Sequence, residues 1–215
     1  MKIKGAVFDM DGLMFDTENL TYQLQKQILN NDGFDFSIED YKQTVGKRLA
    51  DLLPLFQKLF GEDFDAEGFR QKCREAYIQY TDEYGVPLKP GLNEILEKFK
   101  SERIKIALAT STTSKSAKRT LKIAGVLDYF DEFVCAEDVE NGKPDPEPFL
   151  KAAWKLSLNP NECLALEDSS NGIKSAHSAG MITVMIPDLI EPTEDIKNKC
   201  DYIFNNLNDV LTIVH

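Results

Sequence analysis

Histidine, the usual acid–base group near neutral pH, is almost missing from this chain: only His177 and His215 occur among 215 residues. The first falls on a helix-like run and the second is the last residue, so a histidine-centred triad is not expected and proton transfer falls to carboxylates and lysines. Glycine (12) and proline (9) are sparse, which excludes collagen-like, mucin-like and disordered classes. The cysteines Cys73, Cys135, Cys163 and Cys200 are scattered, with no C-x-x-C pair and no histidine nearby, and are expected to be small buried hydrophobes in a reducing compartment. No run of 18 apolar residues exists, and the N-terminus passes directly into a short apolar segment ending in Asp9; neither a membrane span nor a secretory signal is expected. Positive charge is short as well: 25 Lys and Arg against 36 Asp and Glu leave a net charge of −11, which excludes a broad nucleic-acid footprint. These absences predict a cytoplasmic protein with neither nucleic acid nor membrane as partner; a monomer or weak homodimer is expected, although no motif here sets the oligomeric state.

What remains is a chain 42% hydrophobic and 28% charged, the make-up of a globular protein. Its length exceeds a single core of roughly 100–150 residues and falls short of two full-sized domains, so one main domain with a smaller module is expected. Lys2 to Asp9 reads as a buried strand that delivers acidic residues at its carboxyl end. Over 18–84 the pattern is helical, as in Leu20, Leu24 and Ile28, with Tyr77, Tyr80 and Tyr84 as packing residues and no convincing strand.

After Pro90-Gly91 strands and helices alternate. Helices are predicted over 92–99, 115–124, 147–156 and 173–179, and strands over 105–110, 133–135, 163–166, 182–186 and 202–204, with Phe149 and Trp154 as core. Such alternation gives right-handed crossovers and a doubly wound, mainly parallel Rossmann-like α/β sheet. The first strand belongs to this sheet, so residues 16–84 form a small all-helical insertion and residues 1–15 and 85–215 the α/β core.

The carboxyl ends of strands in an open parallel sheet line a common crevice. Asp9 and Asp11, Thr110 and Ser111, Lys143, and Glu167 and Asp168 would all be delivered there. Carboxylates this close raise one another's pKa unless a cation neutralises them, and Mg²⁺ suits such an oxygen site while keeping waters and a substrate phosphate. A lysine and a hydroxyl opposite the metal complete a cradle for a phosphoryl group. The residues alone thus point to metal-assisted phosphoryl transfer through an aspartate nucleophile.

The ordered segments Asp9-Met10-Asp11-Gly12, Thr110-Ser111, Gly142-Lys143-Pro144-Asp145-Pro146 and Glu167-Asp168-Ser169 resemble the four motifs of the haloacid dehalogenase superfamily. The resemblance covers essentially the whole chain, since the helical insertion looks like the cap of the beta-phosphoglucomutase-like branch. It implies Asp9 as the nucleophile that forms an aspartyl-phosphate and Asp11 as the acid that protonates the leaving oxygen and later activates water. It also implies Thr110 and Lys143 as holders of the phosphoryl oxygens. Mg²⁺ would be bound by Asp9, the backbone carbonyl of Asp11, and Asp168, with Glu167 as an inner or outer ligand.

An acid at position 11 separates the chain from haloalkanoate dehalogenases, and no lysine is marked as the Schiff base of the phosphonate-cleaving branch. Beta-phosphoglucomutases carry a cap histidine just after the Asp-Thr pair, whereas this chain follows Asp16-Thr17 with Thr21 at that place. That departure favours water as final acceptor: a phosphatase of a small phosphorylated metabolite, a sugar or sugar-like phosphate, rather than a sugar phosphomutase. A non-catalytic Mg²⁺- or phosphate-binding module is the third reading. Thr17, Ser111 and the turn Val45-Gly46-Lys47-Arg48 are candidate substrate contacts, with Lys47 and Arg48 supplying positive charge, although a charged helix start on a solvated face is the stronger explanation of that pair. Thr110-Ser111 and Glu167-Asp168-Ser169 also have plainer readings as helix caps.

Overall fold

The computed structural model describes residues 3–45, 47 and 49–214. The chain divides into two compact units, Met1–Asp16 with Val86–His215, and Thr17–Gly85. Along the chain the elements are β1 (Gly5–Phe8), then α1 (Thr17–Asn31), α2 (Ile38–Lys42), α3 (Leu49–Phe60) and α4 (Ala66–Tyr84) in the second unit. Back in the first unit follow α5 (Leu92–Ser101), β2 (Lys105–Ala109), α6 (Ser114–Ile123), β3 (Glu132–Val134), α7 (Glu147–Lys155), β4 (Cys163–Glu167), α8 (Ser170–Ser178), β5 (Ile182–Met185), α9 (Glu194–Lys197) and β6 (Tyr202–Ile203).

Among the described residues the strands form one sheet in the order β3-β2-β1-β4-β5-β6, every neighbouring pair parallel. The chain winds outward from β1 through β2 and β3, then returns to β4 on the other side of β1. This reversal opens a crevice beyond the carboxyl ends of β1 and β4, the place where doubly wound sheets bind ligands.

Side-chain alternation sorts the strands onto two unlike faces. On one, Ala6 and Phe8, Ile106 and Leu108, and Leu164 and Leu166 pack against Leu92, Ile95, Leu96 and Phe99 of α5 and Leu121 of α6. On the other, Val7, Ala107, Ala109 and Ala165 meet Phe149, Ala152 and Ala153 of α7 and Ala176 of α8. The small side chains of the second face let those helices lie close to the sheet.

Two packing expectations are corrected. Phe149 is fully buried, but Trp154 is 73% exposed; it lies five residues further along α7, about 0.4 of a turn round the helix from Phe149. Tyr84 is likewise exposed at 68%, while Tyr77 and Tyr80 are only partly buried. Cys135 and Cys163 are buried and Cys73 and Cys200 half-buried, all as free thiols. Burial pushes Cys163 and Cys200 up to about 11, so both stay protonated at neutral pH.

The helical unit has an aromatic core of its own. Phe34, Phe36, Phe56, Phe60, Phe64 and Phe69 pack ring to ring, with Phe60 and Phe64 centroids 4.7 Å apart. Asp65 starts α4 by accepting from the Gly68 N–H at 2.9 Å, and Gly85, at φ 83°, ends it. No helix among the described residues is long and apolar enough to cross a membrane.

Candidate active site

Asp9 directly follows β1, and its N–H donates to the carbonyl of Leu166 on β4 at 3.0 Å, which fixes it over the crevice. Lys143 enters from the loop between β3 and α7. Its ammonium donates to Asp9 Oδ1 and to Glu167 Oε1, each at 2.5 Å, with side-chain exposures of 7% for Lys143, 13% for Asp9 and none for Glu167. The ammonium also lies 5.1 Å above the Phe149 ring.

The loop that carries Lys143 is held from both sides. Glu147, in the first turn of α7, accepts from the backbone N–H groups of Glu140 and Asn141 at 2.9 Å, bonds that draw its carboxyl below the usual range. Ser175 of α8 donates its hydroxyl to the carbonyl of Asp145 at 2.5 Å. Lys143 is therefore placed by two helices rather than by its neighbouring prolines alone.

Glu167 does two jobs. Besides Lys143, it accepts at Oε2 from the N–H groups of Asp168 and Ser169 at 3.2 Å and from the Ser169 hydroxyl at 3.0 Å. Ser169 in turn caps α8 by accepting from the Gly172 N–H at 3.0 Å. The capping reading thus applies to Ser169, while both oxygens of Glu167 are committed to the lysine and the helix start.

Asp9, Glu167 and Asp168 each offer a carboxylate oxygen within 4.8 Å of the others. Burial pushes the Asp9 carboxyl up to about 7, with Lys143 opposing and Glu167 and Asp11 adding to the rise. Asp168 is held well above the usual carboxylate range by burial first, then by Glu167 and Asp9. One ammonium among this many carboxylates leaves excess negative charge in a dry site, the condition a hard divalent cation relieves.

Asp11 lies two residues beyond Asp9 and accepts from the Thr112 hydroxyl at 3.0 Å. Thr112 is the residue that sequence reasoning missed; the only signal was its place in the hydroxyl run from Thr110 to Ser114. Thr110 is buried and tied to the sheet through its N–H to the Val134 carbonyl at 2.9 Å, and its hydroxyl accepts from the Thr112 N–H at 3.1 Å. Ser111 is exposed and lines, with Thr110, Gly142 and Lys143, a cavity of ≈ 240 Å³. Neither Thr110 nor Ser111 caps the next helix: Glu137 does so, accepting from the Ser114 N–H at 2.9 and 3.1 Å.

The structure therefore brings Asp9, Asp11, Thr110, Ser111, Lys143, Glu167 and Asp168 to the carboxyl edge of the sheet. Thr17 and Lys47 belong to the helical unit, Thr17 buried as the first residue of α1 and Lys47 exposed ahead of α3. Arg48 and Gly46 lie outside the described residues.

The profile of the haloacid dehalogenase-like hydrolase family matches residues 6–186. A Thermotoga maritima protein named phosphorylated carbohydrates phosphatase is 32% identical over 179 residues, covering 83% of this chain and 82% of that protein. Hexitol phosphatase B of Escherichia coli is 27% identical, covering 86% of this chain and 84% of the relative. The crystal structure of beta-phosphoglucomutase from Clostridium difficile superposes with a TM-score of 0.72 at 27% identity, over 97% of this chain and 93% of that one.

Proposed function

Because the chain belongs to the haloacid dehalogenase-like hydrolase family, we propose that it is a Mg²⁺-dependent phosphatase that hydrolyses a small phosphorylated metabolite, a sugar or sugar-like phosphate, through Asp9. The observation that carries this reading is the grip of Lys143 on Asp9 Oδ1, beside an acid, Asp11, that is held separately by Thr112. A carboxylate fixed at one oxygen by a buried ammonium keeps its other oxygen for attack. A second carboxyl two residues on supplies a proton without competing for that lysine.

In the first step an Asp9 oxygen forms a bond to phosphorus as the bond to the substrate oxygen breaks, and Asp11 gives that oxygen its proton. In the second, Asp11 takes a proton from water, the water oxygen bonds to phosphorus, and Asp9 is released with inorganic phosphate. Lys143, Thr110 and Ser111 stabilise the negative charge on the phosphoryl oxygens during both displacements. The donor set fits Mg²⁺: Asp9, Asp168 and the backbone carbonyl of Asp11 would hold it, with Glu167 behind them keeping Lys143 in place. When bound, the ion neutralises the carboxylates and the phosphoryl charge.

Sugar phosphates as the substrate class are supported by the named activities of the two phosphatase relatives. We assign substrate selection to the helical unit, with Thr17, Lys47 and Arg48 as contacts, and place the enzyme in the cytoplasm on its protonated, unpaired thiols. The likeness to beta-phosphoglucomutase favours a second reading, a sugar phosphomutase, against which Thr21 stands.

The deciding experiment measures free phosphate from a panel of sugar, polyol and nucleoside monophosphates with and without Mg²⁺, following glucose phosphate isomers in parallel. Mg²⁺-dependent release, absent in Asp9→Asn, is expected. Isomer interconversion with little free phosphate would make the enzyme a mutase.

A further inference from the structure

Asp188, in the loop after β5, lies outside the four motifs, yet its carboxylate is buried beside the candidate metal site. Its side chain keeps only 8% of its surface, and Lys89 donates to Oδ1 at 2.5 Å while also pairing with Asp16 Oδ1 at 3.1 Å. The other oxygen, Oδ2, is buried with no hydrogen-bond partner among the described residues. An orphaned carboxylate oxygen in a dry environment is costly unless a donor reaches it.

The direction of that oxygen is given by Gly12, whose φ of 82° turns the chain just after Asp11. A Cβ on Gly12 would overlap Asp168 Oδ2 and lie 3.3 Å from Asp188 Oδ2. Both Oδ2 atoms thus face the one space that the missing side chain leaves open. Two carboxylate oxygens in a shared, water-poor space need a positive or proton-donating group between them. Among the described residues the two nearby ammonium groups are committed elsewhere: Lys89 holds Asp188 Oδ1, and Lys143 is engaged by Asp9 and Glu167.

We propose that Asp188 is a positioning residue of the Mg²⁺ site: its Oδ2 accepts a hydrogen bond from a water of the cation bound by Asp9 and Asp168, and Lys89 locks its Oδ1 in place. The inference rests on the metal reading given above. Mg²⁺ keeps several of its waters when it binds protein, and groups that orient a metal's surroundings typically change affinity 10- to 100-fold. Lys89 also ties Asp188 to Asp16, so one ammonium joins the loop after β5 to the segment that follows Asp11.

The test is Mn²⁺ binding to the full chain, followed by the electron paramagnetic resonance signal of free Mn²⁺, in wild type, Asp188→Asn and Asp168→Asn. Asparagine can still accept from Lys89, so the metal-free melting temperature of Asp188→Asn should stay close to wild type while its Kd for Mn²⁺ rises roughly 10-fold or more. A wild-type Kd in Asp188→Asn, with binding lost in Asp168→Asn, overturns this role and leaves the metal site standing. A wild-type Kd in Asp168→Asn overturns the metal reading itself. Should Asp188→Asn fail to fold, the ¹³C carboxyl resonance of Asp188 in the wild-type protein decides: it moves on adding Mg²⁺ if the residue faces the hydrated ion, and an unmoved resonance sinks the proposal.

Discussion

Lys143 reaches back 134 residues to Asp9 and holds its Oδ1 at 2.5 Å. The same ammonium neutralises Glu167, so its removal strands two buried carboxylates. Breaking such a buried pair costs about 3–5 kcal/mol. Lys143→Met should therefore be less stable than wild type by that order at pH 8 in urea denaturation, and less so at pH 5, where a carboxyl can take up a proton instead. Turnover should fall at least roughly 100-fold, the loss that follows removal of one preorganised donor to a developing oxyanion. A stable, active Lys143→Met would remove the ammonium from the mechanism.

The Asp9 and Asp168 carboxyls, both raised by burial, set how metal binding depends on pH. The Asp9 value rises from 3.8 to about 7 in the metal-free fold. A raised carboxyl means that the folded state binds the proton more tightly than the unfolded chain; this contribution to stability is complete below 3.8 and is lost as pH climbs through about 7. Mg²⁺ must displace that proton, so the melting-temperature gain on adding Mg²⁺ should be larger at pH 8 than at pH 5.5. Asp9→Asn should weaken the trend and leave the part that Asp168 contributes. Equal gains at both pH values in the wild type would contradict the assignment.

The Thr112 hydroxyl at 3.0 Å from Asp11 Oδ2 sets the acid's orientation. Asp11→Asn removes the proton carrier, and turnover should drop about 10²–10⁴-fold. Thr112→Val deletes a hydrogen bond to a charged group, worth about 1.5–3 kcal/mol. It should lower kcat roughly 10- to 150-fold and displace the limb of the pH–rate profile that reports Asp11, whereas Thr112→Ser restores both. Identical profiles for Thr112→Val and wild type would reduce Thr112 to a packing residue.

Why the motif residues were legible is clear from the sheet. Asp9, Thr110 and Glu167 sit at or just beyond strand ends, and Lys143 in the loop that leads from β3 to α7; an alternating α/β pattern puts those ends and loops around one crevice whatever the details of packing. Thr112 was not legible because five consecutive hydroxyl-bearing residues, Thr110 to Ser114, offer no periodic cue as to which turns toward Asp11. Glu167 could be placed but not its bonds, since a carboxylate at a strand end serves a metal, a lysine or a helix start equally well. Asp188 depends on Lys89, a partner 99 residues away. Trp154 illustrates the one-way character of the hydrophobic rule: apolar residues fill cores, yet surfaces also carry them.

Gly172 offers a last test of the Glu167 arrangement. It lies in the first turn of α8, where alanine would ordinarily stabilise a helix by about 1 kcal/mol. Here a Cβ would overlap the carboxyl group of Glu167, which is fully buried and holds Lys143 at 2.5 Å. Gly172→Ala must therefore push Glu167 aside, loosen Lys143 and lose the hydrogen bonds to the N–H groups of Asp168 and Ser169. Both stability and kcat should fall, against a Trp154→Ala control on the solvent side of α7 that stays within about 0.5 kcal/mol and keeps full turnover. Urea midpoints and phosphate-release rates read both quantities on the same preparations. A Gly172→Ala enzyme that gains stability and keeps its rate would mean that Lys143 holds Asp9 without help from Glu167.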